Sequence, residues 1–272
     1  MHILVTNDDG ISAPGLLALA REMTHLGKVS VLAPDRNWSA SGHVRTLDRP
    51  LRIKEVRLDD HLRSWCSDGA PSDCVALAAC GFLEEKIDLV ASGINPYANL
   101  GHDVTYSGTV TAAMEAVIWN IPAIAVSLDS PENHLGETDY SVAARYARLV
   151  AQAVLRYGLA ANTLLNVNVP FLPEEGIKGL QVTRQGLRVY HDKLDRRIDP
   201  RGKPYFWTAG EYPTGIPERG TDIGALAEGF VSVTPIQLDL TAYQSIPDLN
   251  SWDWSHLHQE LLYHPNSIFI PG

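Results

Sequence analysis

Residues 3–10 read ILVTNDDG, an apolar run that stops abruptly in a polar one. Ile3, Leu4 and Val5 do not alternate with polar residues, which suits a strand buried on both faces of a parallel sheet. The run ends in Asn7, Asp8, Asp9 and Gly10. Two adjacent carboxylates at the end of a buried strand repel each other and resist leaving water. That arrangement is costly unless a cation or a proton relieves it. Ligands of open α/β sheets bind in the crevice at the carboxyl ends of the strands, so a divalent metal is the relief expected here. The competing reading is a polar turn in which Asn7 and Asp8 satisfy backbone groups. The stretch alone leaves both open.

Outward from this strand, Ser12 as N-cap and Pro14 in the first turn predict a helix carrying Leu16, Leu19, Ala20 and Met23, with Gly27 as its stop. Val29 to Ala33 is a second strand, so the first segment is a βαβ unit with a parallel pair. Residues 44–66 alternate charged and apolar side chains and predict short, partly exposed strands. Ser72 is expected to cap a helix with Val75, Ala78, Ala79 and Phe82 inward, followed by a buried strand from Ile87 to Ser92. A polar, glycine-punctuated loop runs from Pro96 to Gly108. A helix from Thr109 turns Val110, Met114, Val117 and Ile118 inward, and Pro122 opens the strand Ala123 to Leu128. A helix holding Val142, Leu149, Val150, Ala153 and Val154 leads to Leu164–Val169, the last clear core strand.

Residues 180–208 change style. They are rich in Arg, Lys, Tyr and Trp, and they predict an extended hairpin turning at Asp199, Pro200, Arg201 and Gly202. Tyr190, Tyr205, Phe206 and Trp207 are too many aromatics for a free loop and suggest an interface. Thr221–Glu228 reads as a short helix, Phe230–Leu240 as a strand, and Ser251–Leu262 as a closing helix with Trp254, Leu257 and Leu261 on one face. The expected organisation is a Rossmann-like core over residues 1–179. Residues 180–272 would be a C-terminal arm, strand and helix that complete the core and the oligomer interface.

The 272 residues can bury a sizeable core. A content of 45% hydrophobic and 20% charged residues indicates a soluble globular chain, and the net charge of −10 disfavours a nucleic-acid polymer or an anionic membrane as partner. Cys66, Cys74 and Cys80 form no CxxC pair, so neither a disulfide framework nor a zinc ribbon is expected. The chain opens directly into a strand and has no stretch of ~18 apolar residues, which together point to the cytoplasm.

Polar clusters recur at three strand ends: Asn7, Asp8 and Asp9; Asn37 and Ser39; Asn95 with Asn99. Their oxygens make a hard ligand set of carboxylates, hydroxyl and amide carbonyl, which favours magnesium or manganese over zinc. Tyr106, Ser107, Gly108 and Thr109 lead into a helix whose free N–H groups and hydroxyls suit a phosphate, although capping alone explains such a sequence equally well. Neither GxxxxGK nor GxGxxG is present.

The segments NDDG (7–10), APDRNWSASGH (33–43), GAPSDCV (69–75), SGIN (92–95), DVTYSGTV (103–110), NVNVP (166–170), DPRG (199–202) and SVTP (232–235) resemble, in order, the SurE family of stationary-phase survival proteins. The resemblance implies a metal-dependent nucleoside monophosphate phosphatase with a Rossmann-like core and a C-terminal arm exchanged in dimers or tetramers. It implies Asp8, Asp9, Ser39 and Asn95 as ligands of one magnesium or manganese ion per subunit. Asn99, Ser107, Gly108 and Thr109 would lie near the phosphate, and Asn37 is placed with them. The chain departs from the family pattern at Tyr97, Thr111 and Ala116, where glycines are usual, and at Ala70, where threonine is.

The expected reaction is hydrolysis of nucleoside monophosphates by a metal-activated water that Asp9 orients, with the Ser107–Thr109 helix end stabilising phosphoryl charge. His43 is the candidate for assisting the leaving alkoxide, against a structural role in positioning the Ser39 loop. An aspartyl-phosphate mechanism on Asp8 generally needs a second aspartate where Gly10 stands. The rival outside enzymology is a receiver-like magnesium-binding switch, which would need an aspartate in place of Asn95.

Overall fold

The computed structural model describes residues 1–131 and 134–263. The chain divides into two compact units, Met1–Leu238 and Asp239–Gly272.

The first unit is built on a mostly parallel nine-stranded sheet. In chain order its elements are β1 (His2–Thr6), α1 (Pro14–Met23), β2 (Lys28–Pro34), β3 (Ile53–Val56), β4 (Arg63–Ser67), α2 (Pro71–Leu77), β5 (Leu89–Asn95), α3 (Gly108–Ile118), β6 (Ala123–Asp129), α4 (Ser141–Tyr157), β7 (Thr163–Pro170), β8 (Leu180–Val182), β9 (Arg188–Ile198), β10 (Pro204–Gly215), α5 (Asp222–Ala227) and β11 (Val231–Gln237). The sheet order is β3-β4-β2-β1-β5-β6-β7-β11-β8, with β3 antiparallel to β4 and β11 antiparallel to β7. β9 and β10 form a separate antiparallel hairpin.

β1 is buried on both faces, as its unbroken apolar run requires. Ile3 and Val5 pack with Leu16, Leu19 and Met23 of α1 and with Ala147 and Val150 of α4. Leu4 faces the opposite layer, where Val75 of α2 and Val110 and Ala113 of α3 meet it. The two-residue period of a strand thus serves two helical layers at once. Each such fully buried Leu, Ile or Val contributes ~1.5–3 kcal/mol.

Several local expectations need correction. The N-cap of α1 is Ala13, not Ser12, and the turn relies on Pro14 in its first positions. Likewise α2 is capped at Ala70, whose N–H donates to Asp73 Oδ2 at 3.0 Å, and Ser72 lies inside the helix. α3 begins at Gly108 with Ser107 as cap, and its Ile118 is 57% exposed because the apolar stripe has drifted off the sheet by the last turn. Leu149 and Ala153 of α4 are exposed as well; the buried stripe is mostly alanine, which lets the helix approach α1 and the sheet closely. Leu164–Val169 is not the final core strand, since β11 and β8 extend the sheet beyond it. The hairpin runs from Arg188 to Gly215 rather than 180–208, because Leu180–Val182 is spent pairing with β11. Its turn is the expected one: Asp199 Oδ1 accepts from Arg201 N and Lys203 N, each at 2.8 Å.

The second unit contains α6 (Ile246–Asn250) and α7 (Trp254–Tyr263). Trp254 and Leu257, expected on one face, are exposed, and the Leu261 side chain lies outside the described residues. Among the described residues no helix is long and apolar enough to cross a membrane.

Candidate active site at the carboxyl ends of the strands

β1 lies between β2 and β5, both parallel to it. The chain leaves β1 toward one side of the sheet and later returns to build the other, so the switch point falls where β1 and β5 end. Asp8 follows β1 and Asn95 closes β5. A cleft of about 240 Å³ opens there, and it brings together Asp8, Ser39, Asn95, Asn99 and Ser107. Asp9, Asn37, His43, Gly108 and Thr109 do not line it.

Asp8 is only 3% exposed. Its Oδ1 accepts a hydrogen bond from Thr109 Oγ1. Burial is the largest influence on its carboxyl and pushes the pKa up, against the Thr109 hydroxyl and the backbone amides of Asp8, Thr109 and Gly108, which favour the anion. The helix end expected to face a phosphate therefore faces Asp8 in this structure. Asp9 is raised to about 7, first by burial and then by the charge of Asp8. Two neighbouring carboxyls that ionise reluctantly are the situation a divalent cation relieves.

Asn7 takes the turn reading: its amide donates to Gly10 O at 3.0 Å and accepts from Gly10 N at 3.2 Å. Asn37 does the same one strand along, accepting from Ser39 N at 2.7 Å. Trp38 N donates to Asp8 O at 2.7 Å, which ties the Ser39 loop to the end of β1. His43 points elsewhere. Its Nε2 lies 2.9 Å from Glu115 Oε2, and Glu115 also accepts from Arg45 and from Trp119 Nε1. Burial alone would raise the Glu115 carboxyl, but the His43 and Trp119 hydrogen bonds and the Arg45 charge outweigh it and hold the pKa low. Arg45 reaches Asp73 of α2 as well, so the segment after Ser39 is latched to two helices.

The Asn95 amide nitrogen donates to Tyr97 O, which leaves its carbonyl oxygen as the free polar atom. Asn99 is held by Asn166 and Asn168 of the NVNVP segment, a motif to which the sequence assigned no role, and by Ser127. Its N–H donates to Asn168 Oδ1 at 2.8 Å, its carbonyl accepts from Asn166 and Asn168 Nδ2, and its own Nδ2 donates to Ser127 Oγ at 2.8 Å. The available signal was two asparagines at i and i+2 inside the apolar strand β7, on one face of the sheet. Asp222 is a second omission. It is fully buried and accepts from Gly101 N at 2.9 Å, Gly186 N at 2.7 Å and Ile223 N at 2.8 Å, which joins the cleft loop to the base of the hairpin. Gly101 has φ +50°, and a Cβ on it would lie 2.5 Å from Gly186 O, so a side chain is excluded there. Asp103 closes the same connection through Arg188 Nε and Tyr190 Oη, each at 2.7 Å.

Asp8, Asp9, Ser39 and Asn95 offer oxygen only, which fits a hard divalent cation such as magnesium or manganese. Among the described residues no group of three or more His, Cys, Asp or Glu side chains is arranged to hold a metal.

Comparisons with known proteins point the same way. The family described as Survival protein SurE matches residues 3–192. The 5′-nucleotidase SurE of Chloroflexus aggregans is 48% identical over 254 residues, covering 93% of this chain and 100% of that protein. The 5′-nucleotidase SurE of Herpetosiphon aurantiacus is 48% identical over 256 residues, covering 94% of this chain and 100% of that one. The crystal structure of the SurE protein from Aquifex aeolicus matches with a TM-score of 0.77 at 42% identity, covering 92% of this chain and 98% of that chain.

Proposed function

The chain belongs to the SurE family, and on that premise we propose that it is a metal-dependent 5′-nucleotidase hydrolysing nucleoside 5′-monophosphates, and in principle 3′-monophosphates, to nucleoside and phosphate. The observation that carries this is the cleft itself: a buried acid at the switch point, a serine, two asparagines and a helix cap from four separate segments converge on it.

Asp8, Asp9, Ser39 and Asn95 would hold one magnesium or manganese ion per subunit. That ion, when bound, supplies positive charge to the phosphoryl oxygens and makes water a nucleophile at neutral pH. The Asp9 carboxylate orients the attacking water. Ser107 keeps its O–H available while its Oγ accepts from Val110 N at 3.2 Å, so it can donate to a phosphoryl oxygen at the positive end of α3. Asn99, which lines the cleft, borders the phosphate, while Asn37 shapes the Ser39 loop and Gly108 and Thr109 support Asp8 from behind. His43, held by Glu115, serves to position the Ser39 loop in preference to protonating the leaving alkoxide. Steady-state phosphate release from AMP with added magnesium or manganese is the test. Many equivalents per chain are expected; release that stops at one equivalent would favour the receiver-like switch.

The hairpin presents Leu194, Ile198, Phe206 and Trp207 to solvent without a core of its own. We assign it to the interface of a homodimer or homotetramer, with residues 1–179 as the catalytic core and 180–272 as the C-terminal arm, strand and helix. Removing the outer hairpin, residues 192–211, should lower the mass seen by light scattering. An unchanged mass would return the hairpin to its own subunit. The three free cysteines fit a reducing compartment, the cytoplasm, and the acidic balance leaves no nucleic-acid polymer or membrane among the expected partners.

A further inference from the structure

Two partly exposed aromatic rings, Tyr97 and Tyr106, stand on the rim of the cleft. Tyr97 is 48% exposed and Tyr106 is 62% exposed, and both line the cleft beside Asn95 and Ser107. Among the described residues neither ring stacks on another ring and neither hydroxyl makes a hydrogen bond. Exposure of a single ring is ordinary on a protein surface; what sets these two apart is that both line the same cleft as Asp8, Asn95 and Ser107.

Their backbones, by contrast, are fixed. The Tyr97 carbonyl accepts from Asn95 Nδ2. Before it, Pro96 O accepts from Ser130 N at 3.3 Å and from Ser130 Oγ; after it, Asn99 N is held by Asn168. Tyr106 N donates to Asp103 O, and Tyr106 O accepts from Gly42 N, each at 3.0 Å. A ring on an immobilised backbone loses little freedom when a ligand covers it. Position supplies the rest. Tyr97 lies two residues after the ligand candidate Asn95, and Tyr106 directly precedes the phosphate candidate Ser107, while Asp8 is buried behind them. Sharing one cleft with Asp8, Asn95 and Ser107 puts both rings within reach of the ester substituent of a phosphate seated there.

Building on the nucleotidase reading, we propose that Tyr97, with Tyr106 beside it, is the nucleobase subsite and determines specificity for phosphomonoesters that bear an aromatic base. Stacking uses the π-face that every base has, so the subsite accepts all bases and ranks purines above pyrimidines by contact area. It contributes to binding and not to the chemical step.

The test compares AMP with ribose 5-phosphate, which has the same phosphate and sugar and no base. Tyr97→Ala should raise KM for AMP on the order of tenfold, with kcat and the kinetics on ribose 5-phosphate close to wild type. Tyr97→Phe, which keeps the ring and loses only the hydroxyl, should restore the wild-type KM for AMP. Equal losses on both substrates would make Tyr97 a structural residue and overturn the subsite, as would no loss on either. A wild-type chain that turns over ribose 5-phosphate as well as AMP would keep the phosphatase reading and defeat the subsite alone. Inactivity on both would defeat the nucleotidase reading and the subsite with it.

Discussion

Asp8→Asn is expected to cost several orders of magnitude in AMP turnover while the fold survives intact. The substitution is isosteric, and an asparagine Oδ1 can still accept from Thr109 Oγ1 as Asp8 does. What disappears is a charge at the proposed metal site, where several kcal/mol of charge stabilisation are at stake. Stability should move the other way. Burial raises the Asp8 carboxyl pKa above its ordinary value, so in the metal-free chain ionising it costs folding free energy as pH rises past that ordinary value. Asparagine never incurs that cost. In excess EDTA at neutral pH the variant should therefore melt at or above the wild type. Added manganese or magnesium should raise the wild-type Tm, through preferential binding to the folded state, and leave the variant little changed. The same chelator should abolish wild-type turnover, and either metal should restore it. Near-native kcat in Asp8→Asn, or full wild-type turnover after verified metal removal, would sink the assignment.

The contrast between Asp8 and Asn7 shows what a sequence can and cannot state. Both sit in the polar break after β1, and both fit a ligand or a turn former. The structure gives Asn7 to the turn and leaves Asp8 at the cleft. The apolar run and its sudden end are local features, so β1, the switch point and the cluster at its edge were legible. So was Ser107 as the start of a helix, because capping is a short-range effect. The NVNVP segment was legible as a motif but the role of Asn166 and Asn168 was not, and Asp222 carried no signal at all, since each acts through a partner 36 to 121 residues away or through a main-chain group that carries no sequence signature. The turn of the hairpin is legible in Asp199–Gly202, but both of its ends lie further along the chain than the 180–208 expected. Nothing in Leu180–Val182 itself announces that β11 will recruit it into the core sheet.

Gly108→Ala carries the second large effect, and here helix propensity and packing disagree in sign. An alanine in place of a helical glycine ordinarily gains up to ~1 kcal/mol. Gly108, however, opens α3 directly over the acid: a Cβ there would lie 2.6 Å from Asp8 Cβ and 2.9 Å from Asp8 Oδ2. Carbon atoms in contact sit ~3.5–4.0 Å apart, so either the first turn of α3 or Asp8 itself has to move by about an ångström. Asp8 has little room to do so, being buried and tied to Trp38 N and Thr109. Overpacking of this kind costs ~1–3 kcal/mol, which exceeds the propensity gain, and a shift of about 1 Å in a catalytic constellation costs roughly 10²-fold in rate. Gly176→Ala is the matched control, because its nearest neighbour would be 3.6 Å away and the backbone there is not left-handed. The expected outcome is a fall in kcat/KM for AMP of roughly 100-fold with a modest drop in Tm for Gly108→Ala, and wild-type behaviour for Gly176→Ala. Full activity in Gly108→Ala would mean that the close approach of α3 to Asp8 is not what the chemistry depends on.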